Sequence, residues 1–534
     1  MVAQGCGRAG DQQLPACPLL PSLRVAPTVA PPTEPLDAVV VGAGIAGLTA
    51  AALLARAGLR VELLEAHHQS GGCAGTFRRG PYTFDVGATQ VAGLEAGGLH
   101  QRLFHHLGVE PPGATPLDPG CSVWLEGERD PIRLWRDPQR WAEERQRQFP
   151  GSERFWALCA ALHRANWAFN QRDPILPPRS PWDLGTLVGA LGAAQLASGL
   201  LIGASVLDLL RLCGCAGDGR LRRFLDLQLR LYSQEPAERT AALYGATVLA
   251  MAQAPLGLWH LEGSMQALSH RLEQALRQAG GRLLLGHRVG RLEPPATSNA
   301  PWTVTGQDRR GRPFLKHCRD VICTTAVQAL PSLLGESLPA GYRRRLTGLG
   351  DPSGALVFYG ALPRSRLSEG HPLHLQLEGA QPGSLFVSLS AEGDGRAPAG
   401  EATVVASVFT PARPWFQLEE PAYQARKAEA RRGIEAGLIQ LLDLPADPFL
   451  HAELATPRAF HHWTGRPFGF VGGLGQAPER FGPFGLASRS PLPGLWICGD
   501  SIHPGEGTAG VSQSALMACR QLLARRGQSL TLEA

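Results

Sequence analysis

The chain has 534 residues, 44% hydrophobic and 18% charged, which excludes a disordered or fibrous protein and is enough chain for two or three cores. Its formal net charge of +5 is carried by arginine, because the only lysines are Lys316 and Lys427; so mild and scattered an excess argues against a nucleic-acid partner and suits at most an anionic membrane surface. The 11 cysteines form no CxxC pair, and Cys213 and Cys215 stand as a lone CxC without a nearby histidine, so neither a disulfide framework nor a metal site is expected.

Residues 1–36 are rich in Pro and Ala and lack the basic start, apolar run and cleavage site of a secretory signal, so they read as a flexible leader. Next comes LDAVVVGAGIAGLTAAALLARAGLRVELLEA, Leu36 to Ala66. Val39, Val40 and Val41 are an apolar run suited to a parallel strand buried on both faces. Gly42, Gly44 and Gly47 then follow as G-x-G-x-x-G, a helix pattern runs from Ile45 to about Ala57, and RVELLE forms a second strand ending on Glu65. In such a unit the first glycine allows the turn, the second lets a pyrophosphate approach the backbone, and the third lets helix and strand pack closely. An acid ~20 residues on can bind ribose hydroxyls. Strand, turn, helix, strand and acid together predict a dinucleotide site.

A second glycine turn, Gly71-Gly72 and then Gly75, follows Glu65 directly, and YTFDVGATQV runs from Tyr82 to Val91. Residues from about 100 to 244 are helical in period and rich in Trp and Leu. Within them Leu184–Leu207 has no charged residue but five glycines. It is long enough to span a bilayer, yet the glycines and the polar Gln195, Ser198 and Ser205 leave three readings open: a helix dipping into one leaflet, an ordinary buried helix, or a span. Further on, Gly263 opens an apolar helix period through Met265, Leu268, Leu272 and Leu276, and a strand carrying Val289 follows it. Residues 302–326 read as a hairpin and a buried strand, and 352–410 alternate in strand fashion. Near the end, GLWICGDSIHPGEGTAGVSQSALMA gives a strand over Leu495–Cys498, then Gly499-Asp500, then Gly505, Gly507 and Gly510 before a helix from about Ala509. A glycine-rich entry to a helix points backbone N–H groups at something negative.

These segments, in this order, resemble the flavin amine oxidase and carotenoid desaturase superfamily. Glu65 with Gly71-Gly72 resembles its acid and double-glycine signature, YTFDVGATQV its F-D-x-G segment, the Gly263 helix its G-G-M segment, and the C-terminal stretch its second flavin motif. The resemblance implies an α/β fold: a Rossmann-type, glutathione-reductase-like FAD domain assembled from residues 37–100, 245–335 and 485–527, with an α+β substrate and membrane-associated domain from 101–244 and 336–484. It implies FAD as cofactor, contacted by Gly42, Gly44, Ile45, Ala46, Gly47, Glu65, Ala66, Gly71, Gly72, Gly75, Val289, Gly499, Asp500, Gly510 and Val511. Val289 is expected to meet adenine through its backbone, and Asp500 a ribityl hydroxyl. Two departures stand out: Cys73 occupies a position where many relatives have Arg, and Glu262 one where many have Gly.

Within the superfamily the chain looks most like the cyanobacterial-type carotenoid 3',4'-desaturases. The activity implied is removal of two hydrogens from a C–C single bond of a carotenoid, by hydride transfer to flavin N5. The implied partners are a lipophilic carotenoid, a membrane surface and an electron acceptor that is a quinone or oxygen. The implied location is peripheral, on the cytoplasmic side of a thylakoid or plasma membrane. Three rivals are a carotenoid cis–trans isomerase, a flavin amine oxidase and a non-catalytic carotenoid-binding flavoprotein. Against the amine oxidase, the flavin-side lysine of those enzymes follows the returning strand, whereas Lys316 precedes DVICTTA and Lys427 lies far along a charged helix. Catalytic candidates are Glu506 and His503, with two readings open. Both side chains cap the helix or bind each other; or Glu506 stabilises positive charge on the polyene or takes its proton, and His503 relays that proton outward.

Overall fold

The computed structural model describes residues 34–533, so the leader expected over residues 1–36 lies, apart from its last three residues, outside the described part. Leu36–Ala534 forms one unit. Its first sheet runs in the order His287–Glu293, Trp302–Asp308, Pro313–Cys323, Leu36–Val41, Val61–Glu65, Arg282–Leu285, and Leu495–Ile497 also pairs with Pro313–Cys323. The inner pairs are parallel, with Val40 opposite both Leu63 and Ile322, and Ile322 opposite Trp496. Three segments far apart in sequence are thereby sewn into one sheet. Ala38 and Val40 face one core and Val39 and Val41 the other, which is why the strand reads as an unbroken apolar run. The Ile45–Arg56 helix packs on the first face between helices Gln266–Gln278 and Thr508–Arg525. Its Ala50, Ala51 and Ala52 have no solvent exposure, and side chains this small let three helices approach closely. This is the doubly wound, Rossmann-type arrangement.

The second sheet has the order His451–Ala455, Gly354–Pro363, Glu401–Thr410, Leu385–Leu389, His374–Leu377, Ser122–Trp124, Ile132–Arg133. It is antiparallel except where Ser122–Trp124 runs parallel to His374–Leu377. Strand alternation splits its side chains: Leu356 and Phe358 pack with Ile434 and Leu438 of the Glu420–Leu442 helix, whereas Val357 and Tyr359 pack on Phe77 and Phe84 of the Thr76–Arg79/Tyr82–Asp85 hairpin.

Two expectations are corrected. The region read as helical from about 100 contains short strands at Ala114–Pro116, Ser122–Trp124 and Ile132–Arg133. The apolar stretch Leu184–Leu207 is not one helix: Pro181–Ala190 ends at an extended Leu191, Gly192 restarts the chain into Ala193–Gly199, and turns carry it to the next helix at Val206. Five glycines weaken any helix, and the two short pieces are tied down individually. Ser180 caps the first through the Asp183 N–H, and Gln195 Nε2 donates to the Ala165 carbonyl. Their apolar side chains turn outward, with Leu184 53%, Val188 59%, Leu196 63% and Leu200 87% exposed. Among the described residues no helix is long and apolar enough to cross a membrane.

Candidate active site

The nucleotide end is built from two glycine turns locked together. Gly42 has φ +102, and a Cβ there would press to 2.8 Å from Thr324 Oγ1; one on Gly47 would lie 1.8 Å from the Gly42 carbonyl oxygen. Thr324 Oγ1 donates to the Val41 and Gly42 carbonyls, holding the turn against the returning strand. Gly44 differs, since a Cβ on it would meet nothing within 4 Å, so its backbone faces open space at the start of the helix. The second turn closes from the side: Gly71 bridges Gly44 and donates its N–H to the Ala43 carbonyl at 2.8 Å. Gly72 and Gly75 continue it, with a Gly75 N–H to Gly72 carbonyl bond of 3.0 Å. The Glu65 carboxylate accepts from Ala43 N at 2.6 Å and His67 N at 2.8 Å, so the acid stands at the mouth of the first turn, next to Ala66. Ile45 and Ala46 are buried in the helix's first turn, and Val289 sits on the edge strand His287–Glu293, opposite Gly306.

The C-terminal motif packs against the first helix, where Thr49 Oγ1 and Ser512 Oγ lie 3.2 Å apart. Gly499, at φ +131, donates its N–H to Ser514 Oγ at 2.8 Å, which fixes the loop to the Thr508–Arg525 helix. A Cβ on Gly510 would lie 2.6 Å from the Gly505 carbonyl oxygen, and the Val511 N–H bonds the Gly507 carbonyl at 2.9 Å. This helix and the Ile45–Arg56 helix both begin at a glycine without a side-chain cap. Two uncapped helix N-termini of 12 and 18 residues, with open space at Gly44, fit a long anionic cofactor with its diphosphate at one terminus and an electron-accepting ring at the other.

Around this end the substrate-side segments supply partners. Asp500 Oδ2 pairs with Arg466 Nη1 at 2.8 Å, and Arg466 Nη2 donates to the Gly472 carbonyl at 2.6 Å. Glu506 Oε2 accepts from Gln234 Nε2 at 2.7 Å and from the Gly473 N–H at 3.2 Å. Burial outweighs these two hydrogen bonds and pushes the Glu506 carboxyl up to about 8, with Asp500 pushing the same way and Arg466 opposing. His503 is pulled down to about 4 by burial. Its ring lies 5.6 Å from that of Phe481, and neither ring nitrogen has a protein partner. It lines a surface cleft with Arg345, Arg480 and Phe484.

Neither side chain caps the helix, and no hydrogen bond joins the two. Gln234, Arg466 and Gly473 were not picked out by the sequence reading. The Gly472-Gly473 pair in FVGGLG was the only local signal, while Gln234 closes an ordinary amphipathic helix. Lys316 pairs with Glu62 at 2.8 Å on the sheet, and Lys427 lies within the Glu420–Leu442 helix.

Comparison with known proteins agrees with this geometry. The family model for flavin containing amine oxidoreductases matches residues 45–523. The chain is 26% identical over 271 residues to all-trans-retinol 13,14-reductase of Danio rerio, covering 48% of this chain and 42% of that protein. It is 24% identical over 521 residues to prolycopene isomerase 1, chloroplastic, of an Oncidium hybrid cultivar, covering 92% and 85%. To hydroxyneurosporene desaturase of Cereibacter sphaeroides it is 32% identical over 267 residues, covering 48% and 50%. Putrescine oxidase bound to putrescine superposes with a TM-score of 0.62 at 18% identity, covering 93% of this chain and 100% of that one, a likeness of fold. The cofactor is FAD, which the two glycine turns and the two uncapped helices would fit, and the chain belongs to the flavin containing amine oxidoreductase family.

Proposed function

We propose that the protein is a carotenoid desaturase that removes two hydrogens from a C–C single bond, the 3',4' bond, of a lipophilic polyene. Bound FAD supplies a two-electron acceptor. The observation that carries the reading is the charge balance of the site. Asp500 is neutralised by Arg466, and burial keeps the Glu506 carboxyl protonated up to about pH 8. A cationic amine finds no free carboxylate among these groups, whereas an uncharged hydrocarbon has no charge for them to desolvate or repel. The polyene class is supported by the relatives: a prolycopene isomerase, a hydroxyneurosporene desaturase and retinol reductases.

Glu506 is the base for the proton that leaves the polyene. A group with its pKa near 8 is well matched to that work, and the ionised fraction rises with pH, so turnover rises towards pH 8. Gln234 and the Gly473 N–H orient the carboxyl. His503 makes no hydrogen bond to Glu506 and is held neutral by burial, so the outward relay read for it from the sequence has no contact to run through. The exposed apolar side chains of 181–200 dock on the cytoplasmic face of a membrane, from which substrate enters and a quinone or oxygen takes electrons away.

A second reading, isomerisation, is favoured by the prolycopene isomerase, whose match spans 92% of the chain. Expression in a carotenoid-producing host separates the two. Desaturation lengthens the chromophore and moves its absorbance to the red, while isomerisation moves it only slightly. Wild-type pigment composition unchanged by expression overturns both.

A further inference from the structure

The surface cleft beside the C-terminal motif has a volume of about 410 Å³, and Arg345, Arg480, Ser501 and His503 line it together with Phe484. None of the glycines of the two cofactor turns lines it. That volume is at the lower end for ligand clefts and suits a small polar group rather than a long polyene.

Positive charge is in excess there. Arg480 Nη2 pairs with Glu235 at 2.8 Å, Glu235 also takes Arg239 at 3.1 Å, and Arg239 reaches Glu479 at 3.1 Å, so these four charges balance. Arg345 has no carboxylate partner among the described residues. Its Nη2 donates to the Phe484 and Gly485 carbonyls at 3.2 and 2.8 Å, which ties the guanidinium to the cleft wall and leaves Nε and Nη1 as spare donors. It stands on the helix Ala340–Thr347, directly after Arg343 and Arg344. Further donors lack acceptors: Arg480 Nε and both ring nitrogens of His503 are buried without a protein partner, and a neutral imidazole carries one N–H. Unmatched buried donors are costly, and two guanidiniums with an imidazole are the complement of a phosphate oxyanion.

The surroundings of the cleft say what carries that phosphate. Phe484 is 49% exposed. A Cβ on Gly482, another lining residue, would lie 3.6 Å from Ile202 Cδ1, and Phe481 packs on the same core as Leu201 and Ile202. The cleft wall therefore adjoins the end of the apolar stretch whose Leu196 and Leu200 face outward. Basic groups beside outward apolar side chains match a headgroup layer with acyl chains beneath it, whereas a free phosphate gains nothing from the apolar rim.

We propose that the cleft of Arg345, Arg480 and His503 binds the phosphate of an anionic phospholipid and so anchors the neighbouring apolar stretch at a membrane surface. The inference rests on the membrane-docking reading above and adds a headgroup site to it.

The test uses the FAD-loaded protein with vesicles of phosphatidylcholine alone or of equal parts phosphatidylcholine and phosphatidylglycerol. Wild type binds the mixed vesicles at least about tenfold more tightly in co-sedimentation. Monomeric dihexanoyl-phosphatidylglycerol, followed by calorimetry without vesicles, binds saturably. Arg345→Gln and Arg480→Gln each weaken it about fivefold, Arg345→Lys weakens it less, and Arg344→Gln, on the same helix but outside the cleft, leaves it within about twofold. If Arg345→Gln does not fold, Arg480→Gln and the wild-type comparison decide. An effect of Arg344→Gln equal to that of Arg345→Gln overturns the site and leaves a diffuse basic surface. Inorganic phosphate binding as tightly as the short lipid at equal ionic strength overturns the lipid assignment in favour of a free phosphate. Equal binding to the two vesicles overturns the proposal with apolar docking intact, and binding to neither overturns docking as well.

Discussion

Replacing Glu506 by Gln separates the proton from everything else the side chain does. The carboxyl accepts from Gln234 and from the Gly473 N–H through one oxygen, Oε2. An amide oxygen in the same place accepts both, so the fold and the flavin persist. What disappears is ionisation. In the unfolded chain the carboxyl loses its proton above its ordinary 4.5, while in the folded protein burial delays this to about 8. Between those limits the unfolded state binds fewer protons, so stability falls as pH rises from 4.5 to 8 and is level above. The gap has a ceiling of about 5 kcal/mol; the side chain keeps some solvent contact, and about half is a fair expectation. With unfolding entropy of about 2.1 cal/mol/K per residue, a chain of roughly 500 residues shifts about 1 °C per kcal/mol. Holoprotein Tm should therefore drop about 2–4 °C less between pH 5 and pH 8.5 in Glu506→Gln than in wild type, the other titrating groups cancelling in the difference. In the same variant polyene turnover should fall about 100-fold and lose its rise towards pH 8. Parallel Tm curves would show that the buried carboxyl does not carry the proton assigned to it; unchanged turnover would remove it from the chemistry.

Gly44→Val puts a side chain into the open space before the first helix, and the purified variant should carry no flavin; full flavin content would refute the cradle. Leu196→Glu with Leu200→Glu, both on outward-facing side chains, should lower co-sedimentation with anionic vesicles several-fold with FAD retained, and an unchanged bound fraction would point to another surface. Arg396→Leu leaves the buried Asp85 and Asp394 without their shared cation and should cost about 3–5 kcal/mol in denaturant unfolding; a loss under about 1 kcal/mol would mean that the cluster relaxes or protonates instead.

The cofactor end was legible because its rules are local. A strand buried on both faces, glycines at fixed spacing and an acid after the second strand leave a pattern within thirty-odd residues. The structure places the helix at Ile45–Arg56 where the sequence predicts Ile45 to about Ala57, and the late strand at Leu495–Ile497 where it predicts Leu495–Cys498. The Leu184–Leu207 stretch failed for the opposite reason. Its composition says apolar, but whether it runs as one helix depends on Asp183 holding Arg489 and Gln195 reaching Ala165, anchors outside its own periodicity. The short strands at 114–133 are likewise fixed by partners far along the chain, such as Ala114 opposite Leu261 and Ser122 opposite Leu375.

The same division runs through the chemistry. The C-terminal motif displays Asp500 and Glu506 as two carboxylates six positions apart, and read alone they look equivalent. The segments that fold over them make them different. Arg466, from the loop after the Pro457–Thr464 helix, gives Asp500 a counter-charge. Gln234, from the end of the Gly219–Ser233 helix, gives Glu506 only a neutral hydrogen bond, so desolvation prevails there. One acid is thereby paired with a cation, and the other is kept as a proton-bearing group near pH 8. Removing one partner tests this division: Arg466→Gln removes the counter-ion of Asp500 and should raise the pKa of Glu506, whose carboxyl Arg466 pulls down. The expected readout is a turnover profile shifted to higher pH, and a profile that moves to lower pH would refute this assignment of charge.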